Sequence, residues 1–167
     1  MWFNSFSNEL GRLAQGIRGI KGTDRISFIH HSDFPKDKKD SYARIVFSIK
    51  QSKKETHITR ITAGGNVLQC DGNTSAPTAD LATLKLLINS VVSTSKAKFM
   101  KLDIKNYYLR TTLAEKQCIF IQADTAPEKI IQAYKLQSKT HNNKTCVRID
   151  KGMCRLKKAG ALAYDDL

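Results

Sequence analysis

Apolar residues recur with two different patterns in the first part of the chain. Over 5–18 and 78–93 they return every three or four positions, which is the spacing of one face of a helix. Over 25–30, 42–49 and 57–62 the β-branched and aromatic residues typical of strands prevail, with polar residues between them. The pattern therefore predicts two helices and three strands, the last two strands being joined as a hairpin.

The second part of the chain predicts further strands and one more helix. Residues 118–121 and 145–150 are apolar runs of strand length. Residues 127–134 begin with a proline, which suits the first turn of a helix. An apolar-rich run over 97–104 predicts a short buried strand. Because a helix precedes this strand directly, the order of elements indicates an α+β fold.

One acidic residue near the end of the predicted 97–104 strand is a candidate for chemistry. Burial of an ionised Asp103 is costly unless a cation or a metal ion pairs with it. Tyr108 follows five positions later and could form the wall of a pocket above that acid. The simpler alternative is an acid at a strand end that is solvated or held in a salt bridge.

Composition adds a basic surface to this picture. The chain has 167 residues, 41% of them hydrophobic, which is enough for one ordinary domain with a core. Its net charge is +13, so a polyanion such as nucleic acid is the expected partner. No run of about 18 apolar residues occurs, and we therefore expect no membrane partner. A merely soluble basic protein is the competing interpretation.

The four cysteines, Cys70, Cys118, Cys146 and Cys154, show no spacing typical of a metal site. The N-terminal sequence does not resemble a secretory signal. Free thiols in a reducing compartment are therefore expected, and with them an intracellular location, either cytoplasmic or nuclear.

The predicted hairpin carries a cluster of basic side chains: Lys50, Lys53, Lys54 and Arg60. Such a cluster is usually a solvated face. With the net charge of the chain, it is also a candidate surface for phosphate groups.

The segment 102–109, Leu-Asp-Ile-Lys-Asn-Tyr-Tyr-Leu, resembles the first catalytic motif of copia-type retrotransposon reverse transcriptases. The resemblance implies that Asp103 is catalytic and binds Mg²⁺, with the carbonyl oxygen of Ile104 as a further ligand. It also implies that Tyr108 contacts the nucleotide and excludes the 2′-hydroxyl of a ribonucleotide.

The basic hairpin is similar to the fingers hairpin of the same family, in which an arginine grips the incoming triphosphate. Arg60 stands at the place of that arginine. The family often has a second basic residue two positions earlier, where this chain has Ile58.

The segment 151–160 resembles the second palm motif of the family, Lys-Gly-Met-Tyr-Gly-Leu-x-Gln-Ala, with three departures. Cys154 replaces the aromatic residue, and Lys158 replaces the glutamine that lies against the nucleotide and the template. Arg155 replaces a glycine, and its Cβ would resist a turn that needs a positive φ. By position, Lys158 is the third candidate nucleotide-binding residue.

The Tyr-Asp-Asp sequence at 164–166 does not match the third motif, Tyr-x-Asp-Asp, because the tyrosine directly precedes the acid pair. It also follows the second motif too closely. We interpret it as part of a helix whose acids are solvated, and we expect the chain to end before the third motif.

The resemblance implies an α+β fold with reverse-transcriptase-like fingers and an incomplete palm. Its expected divisions are a helical lead-in over 1–22, a fingers-like region over 23–95 and a partial palm over 96–167. The implied function is that of a fragment of an RNA-directed DNA polymerase, inactive on its own. The implied partners are an RNA template, a DNA primer, a deoxynucleoside triphosphate and Mg²⁺, with the missing palm and thumb supplied downstream. The alternatives are a basic nucleic-acid-binding remnant without catalysis and an inert product of a decayed element.

Overall fold

The computed structural model of the protein describes residues 1–35, 39, 41–68, 74–104 and 106–166, although not the side chain of Tyr108. This part of the chain has a mixed α+β fold with four α-helices and eight strands. The helices are α1 (Trp2–Leu13), α2 (Leu81–Ser93), α3 (Glu128–Tyr134) and α4 (Ala159–Asp165). The strands are β1 (Gly16–Ile17), β2 (Ile20–Lys21), β3 (Ile26–Ile29), β4 (Ala43–Ile49), β5 (His57–Ala63), β6 (Thr112–Gln122), β7 (Thr140–His141) and β8 (Lys144–Lys151).

Strand β8 lies at the centre of the main sheet. It pairs antiparallel with β3 on one side and with β6 on the other, so that Val147 stands between Phe28 and Ile119. The short β7 also pairs with β8. The backbone N–H of Phe120 donates to the Ser41 carbonyl at 2.9 Å, which joins β6 to the segment that leads into β4.

Alternate residues of each strand point to opposite faces of this sheet. The two faces bury clusters of unequal size. One face forms the main core with α1 and α3. Its buried side chains include Phe6, Leu10, Leu13, Ile26, Phe28, Ile119, Ile121, Ile130, Val147 and Ile149. The other face carries a smaller buried cluster of Cys118, Phe120 and Cys146.

The β4–β5 hairpin packs against α1 through one buried hydroxyl group. Ser5 Oγ donates to the His57 carbonyl at 2.7 Å and accepts from the backbone N–H of Thr59 at 2.9 Å. The ring of Trp2 also lies 4.6 Å from that of His57, centroid to centroid. These contacts hold β5 along α1, so that Ile61 joins the main core.

The strands predicted at 25–30, 42–49, 57–62, 118–121 and 145–150 are confirmed as β3, β4, β5, β6 and β8, and the hairpin joins β4 to β5 as expected. The helix predicted at 127–134 is confirmed as α3, with Pro127 as the residue that precedes its first turn.

The first helix differs from its prediction over 5–18, because it begins at Trp2 and ends at Leu13. Gly16 and Gly19 have φ angles of +103° and +81°, which residues with a side chain rarely adopt. These two glycines allow β1 and β2 to pair across a tight turn, with Ile17 opposite Ile20. The apolar residues keep their helical spacing as far as Ile17, although the helix ends at Leu13, and this is why the predicted helix was too long at its C-terminal end.

The buried strand predicted over 97–104 is wrong. Residues 97–104 form no strand, and Met100 and Leu102 expose 74% and 73% of their surface. A strand requires a partner for its backbone groups. None of the described strands lies beside this stretch. Its apolar composition therefore did not determine its structure.

Helix α2, which precedes that stretch, is confirmed over most of the predicted 78–93. Asp80 caps it, since its side chain accepts from the backbone N–H of Thr83 at 2.7 Å. No residue of α2 is buried, although the helix is rich in leucine. Within the residues that the structure describes, no helix combines the length and apolar character needed to cross a membrane.

Candidate functional site

Two segments distant in sequence form the walls of one cleft of about 760 Å³. The first wall is the segment from Leu102 to Leu109, which ends in a short 3₁₀ turn at Tyr107–Leu109. The second wall is the turn between β8 and α4. The lining residues are Leu102, Asp103, Ile104, Asn106, Tyr107 and Leu109 on the first wall, and Met153, Cys154, Arg155, Leu156, Ala159 and Gly160 on the second. The two segments that resemble palm motifs therefore face each other.

A buried arginine holds the first wall in place. Arg25 exposes only 8% of its surface, and its Nε donates to the Leu109 carbonyl at 3.0 Å. Its own carbonyl accepts from the backbone N–H of Asp150 at 2.7 Å, which ties it to the end of β8. Burial lowers the pKa of Arg25 from its usual value, but a guanidinium starts so high that it stays charged near neutral pH. Arg25 thus connects the Tyr107–Leu109 turn to the main sheet.

The second wall begins in the core and ends at a strained residue. Met153 is 2% exposed, and its carbonyl accepts from the backbone N–H of Leu156 at 3.2 Å, which closes a tight turn. Between them Arg155 has a φ of +72°, in the left-handed region where a Cβ is unfavourable. The expectation that this turn needs a positive φ is confirmed, and an arginine occupies it.

The end of the β4–β5 hairpin contacts the same turn. The backbone N–H of Ala63 donates to the Cys154 carbonyl at 3.3 Å. A Cβ added at Gly65 would overlap the Arg155 carbonyl oxygen, so only glycine allows this approach. The hairpin and the second wall of the cleft are therefore in direct backbone contact.

Asp103 and Ile104 lie exposed on the first wall of the cleft. The expectation of a buried Asp103 that needs a paired cation is wrong, because water can reach its carboxylate. Consistent with this exposure, the ion pairs found among the described residues do not involve Asp103.

The donor set of the cleft does not fit a two-metal centre by itself. Nucleotidyl transfer of that type uses carboxylates that bridge two ions about 3.5–4 Å apart. Asp103 is the only carboxylate among the lining residues, and Ile104 offers a backbone carbonyl alone. Among the described residues, no group of three or more His, Cys, Asp or Glu side chains could hold a metal ion. The role of Asp103 and Ile104 as Mg²⁺ ligands stays a prediction.

The other predicted site residues lie apart from Asp103. Arg60 is exposed on β5, opposite Val46 of β4, and does not line the cleft. Lys158 is half-buried and lines a separate small pocket of about 130 Å³, together with Leu68 and Leu113. The backbone of Tyr108 is in the turn of the first wall, whereas its side chain lies outside the described part.

The terminal acids behave as the sequence predicted. Tyr164 and Asp165 end helix α4, and Asp165 and Asp166 are exposed to solvent. Neither acid lines the cleft of Asp103. The interpretation of both acids as solvated is confirmed, and Tyr164 and Asp165 are helical as expected, although they end helix α4 and Asp166 follows its last residue.

Sequence reasoning missed two arginines near this site: Arg25, which holds its first wall, and Arg44, which lines a neighbouring pocket and not the cleft. Arg25 reads as an ordinary strand residue, and nothing local indicates that it binds a carbonyl 84 positions further along. Arg44 points to the outward side of the hairpin with Arg60, since β4–β5 pairs Arg44 with Thr62 and Val46 with Arg60. The alternation of the hairpin could have revealed Arg44.

Comparisons of the chain with protein-family models, with curated proteins and with solved structures found no match. The similarity of 102–109 and 151–160 to retrotransposon motifs therefore remains an inference from those residues and from their shared cleft.

Proposed function

We propose that this protein is the fingers and partial palm of a retrotransposon reverse transcriptase. In this proposal it binds an RNA template paired with a DNA primer and does not synthesise DNA on its own. The observation that carries the proposal is the cleft between 102–109 and 153–160. Two segments that resemble successive motifs of one family line the same cleft, and this supports the proposal.

The charge distribution supports the nucleic-acid part of this proposal. The chain has a net charge of +13, and Arg60, Arg44 and Arg155 are exposed. Each phosphate neutralised by such a residue releases counterions and contributes affinity that falls with salt. Arg60 would contact a triphosphate, and Tyr108 would contact the nucleotide sugar.

The residues that line the cleft support the second part of the proposal, that the chain does not synthesise DNA on its own. With Asp103 as the only carboxylate among the described lining residues, the second ion that activates a primer hydroxyl would lack its ligands. Further carboxylates would complete the site. Until they do, Mg²⁺ would be held weakly by Asp103 and the Ile104 carbonyl.

Photocrosslinking tests the proposal with the whole chain. An RNA–DNA hybrid with a photoreactive group at the primer 3′ end should crosslink within 102–109 and 153–160, because the primer end would lie in the cleft. Labelling of α2 serves as the background. Labelling spread evenly over the lysines of the chain would contradict the proposal and favour the runner-up, a basic nucleic-acid-binding remnant.

The same hybrid gives a second measurement. The logarithm of its binding constant should fall linearly with the logarithm of salt concentration. Primer extension with Mg²⁺ or Mn²⁺ should give no product above that of Asp103→Asn. Extension that Asp165→Asn and Asp166→Asn abolish would show that the terminal acids are catalytic and that the proposal of an inactive fragment is wrong.

A further inference from the structure

A third cavity lies between the base of the β4–β5 hairpin and the turn that carries Arg155. It has a volume of about 350 Å³. The residues that line it are Tyr42, Arg44, Ala63, Gly64, Gly65, Asn66 and Arg155. Arg155 also lines the cleft of Asp103, so the two cavities adjoin at this residue.

The charged groups that the structure describes in this pocket are positive. Among the described residues, its lining contains two arginines and no acid. Within the described part of the chain, neither Arg44 nor Arg155 takes part in an ion pair, whereas Arg12 and Arg148 both pair with carboxylates. A guanidinium presents a rigid fork of donors that fits the oxygens of a phosphate group. Two such groups at one pocket provide the donors that a phosphate requires.

The backbone of the pocket is shaped by two glycines. A Cβ at Gly64 would come within 2.8 Å of the Tyr42 ring and 2.9 Å of Ser41 Oγ. A Cβ at Gly65 would overlap the Arg155 carbonyl oxygen. A side chain at Gly64 would therefore displace Tyr42 or Ser41, and one at Gly65 would displace the backbone of Arg155.

Arg155 is held in a conformation that disfavours a side chain. Its φ of +72° would suit glycine. Strained residues of this kind persist where the surrounding structure fixes them, and they cluster at functional sites. Here the strained position directs a charged side chain to the edge of a pocket that already contains Arg44.

We propose that this pocket binds a phosphate group between Arg44 and Arg155. Arg44 and Arg60 are diagonal neighbours on the outward face of the hairpin, so further phosphates of a strand could continue toward Arg60. The site goes beyond the proposed polymerase function, because it depends only on the two arginines and the glycine turn. Its ligand is either a backbone phosphate of a nucleic acid strand or the phosphate of a free nucleotide.

Calorimetric titration with inorganic pyrophosphate tests the site directly. Arg44→Gln and Arg155→Gly should each weaken binding by about tenfold or more, since each removes one charged donor group. Glycine at 155 suits the observed φ, so loss of binding there cannot be attributed to misfolding. Lys85→Gln, on the exposed face of α2, is the control that removes one charge elsewhere.

A double-mutant cycle separates one site from a general basic surface. If both arginines hold the same phosphate, the double variant should lose less affinity for pyrophosphate than the product of the fold-losses of the two single variants. The proposal would be overturned if the two fold-losses of affinity simply multiplied in the double variant. It would also be overturned if each arginine variant lost no more affinity than Lys85→Gln.

The RNA–DNA hybrid distinguishes the two sources of phosphate. If the ligand is a strand phosphate, pyrophosphate should compete with the hybrid and both variants should weaken hybrid binding. If the ligand is a free nucleotide, the variants should weaken pyrophosphate binding alone. If the variants change neither pyrophosphate binding nor hybrid binding, and crosslinking to 102–109 persists, the phosphate site is wrong and the proposed function stands.

Discussion

Single residues determine how the hairpin and the cleft meet. Gly65 allows the hairpin end to reach the carbonyl of Arg155, and Arg155 itself occupies a backbone conformation that costs an L-residue about 1–2 kcal/mol. Arg25 anchors the opposite wall through one hydrogen bond to Leu109. The geometry of the site therefore depends on three positions, Gly65, Arg155 and Arg25, none of which belongs to the hydrophobic core.

The contact at Gly65 predicts a stability change. Gly65→Ala should lower the free energy of unfolding by about 1–3 kcal/mol, because the added Cβ overlaps a backbone oxygen that cannot move alone. Urea unfolding measures it. Asn66→Ala, at the exposed neighbouring position, is the control and should change stability by less than about 0.5 kcal/mol. Equal stability of wild type and Gly65→Ala would mean that the hairpin end and the 153–155 turn do not touch.

A second prediction at this scale concerns pH. Burial raises the pKa of Glu9 from its ordinary value, although Arg12, 2.7 Å away, and the charges of Arg25 and Arg60 act in the opposite direction. Because the folded-state pKa is the higher one, the contribution of Glu9 to stability is fully present below the unfolded-state pKa. It is lost as pH rises through the folded-state pKa.

Glu9→Gln should therefore gain stability relative to wild type as pH rises from about 4 to 7. Free energies of unfolding at constant ionic strength measure the difference. Glu115→Gln, at an exposed carboxylate, corrects for the general effect of removing one negative charge. A relative loss of stability with rising pH would show that the ion pair with Arg12 outweighs burial.

At the scale of elements, the chain divides its apolar residues unequally. The strands of the main sheet bury most of theirs, as at Val147 and Ile149. Helix α2 and residues 97–104 leave theirs in solvent, and Val92 exposes 79% of its surface. Helix α2 thus depends on local interactions such as its Asp80 cap.

Two substitutions of the same type test this division. Ile149→Ala should lower the free energy of unfolding by about 2–5 kcal/mol, because Ile149 is fully buried in β8. Ile88→Ala, in α2, should change it by less than about 0.5 kcal/mol, because 48% of Ile88 is exposed and alanine favours a helix. Chemical denaturation measures both. Similar losses would mean that α2 buries Ile88 against another surface in solution.

At the scale of the whole molecule, the spacing of apolar residues predicted the elements whose structure depends on neighbours in sequence. The strands of the main sheet and the basic hairpin follow from apolar spacing, because each side of a strand meets one environment over several residues. The stretch 97–104 has the same composition but no neighbouring strand, and sequence cannot supply a neighbour. For the site, the motifs indicated the two walls of the cleft. The anchor at Arg25 depends on a contact 84 positions away, which no local pattern encodes.

The central position of β8 has a consequence for how the chain folds as it is made. Strand β3, at Ile26–Ile29, can pair only when residues 146–149 have left the ribosome. Until then the apolar face of α1 and β3 lacks its main cover. The hairpin, in contrast, pairs residues close in sequence and can form early. Synthesis paused before residue 144 should therefore leave an open intermediate that proteases and chaperones recognise, and release of β8 should close the core in one late step.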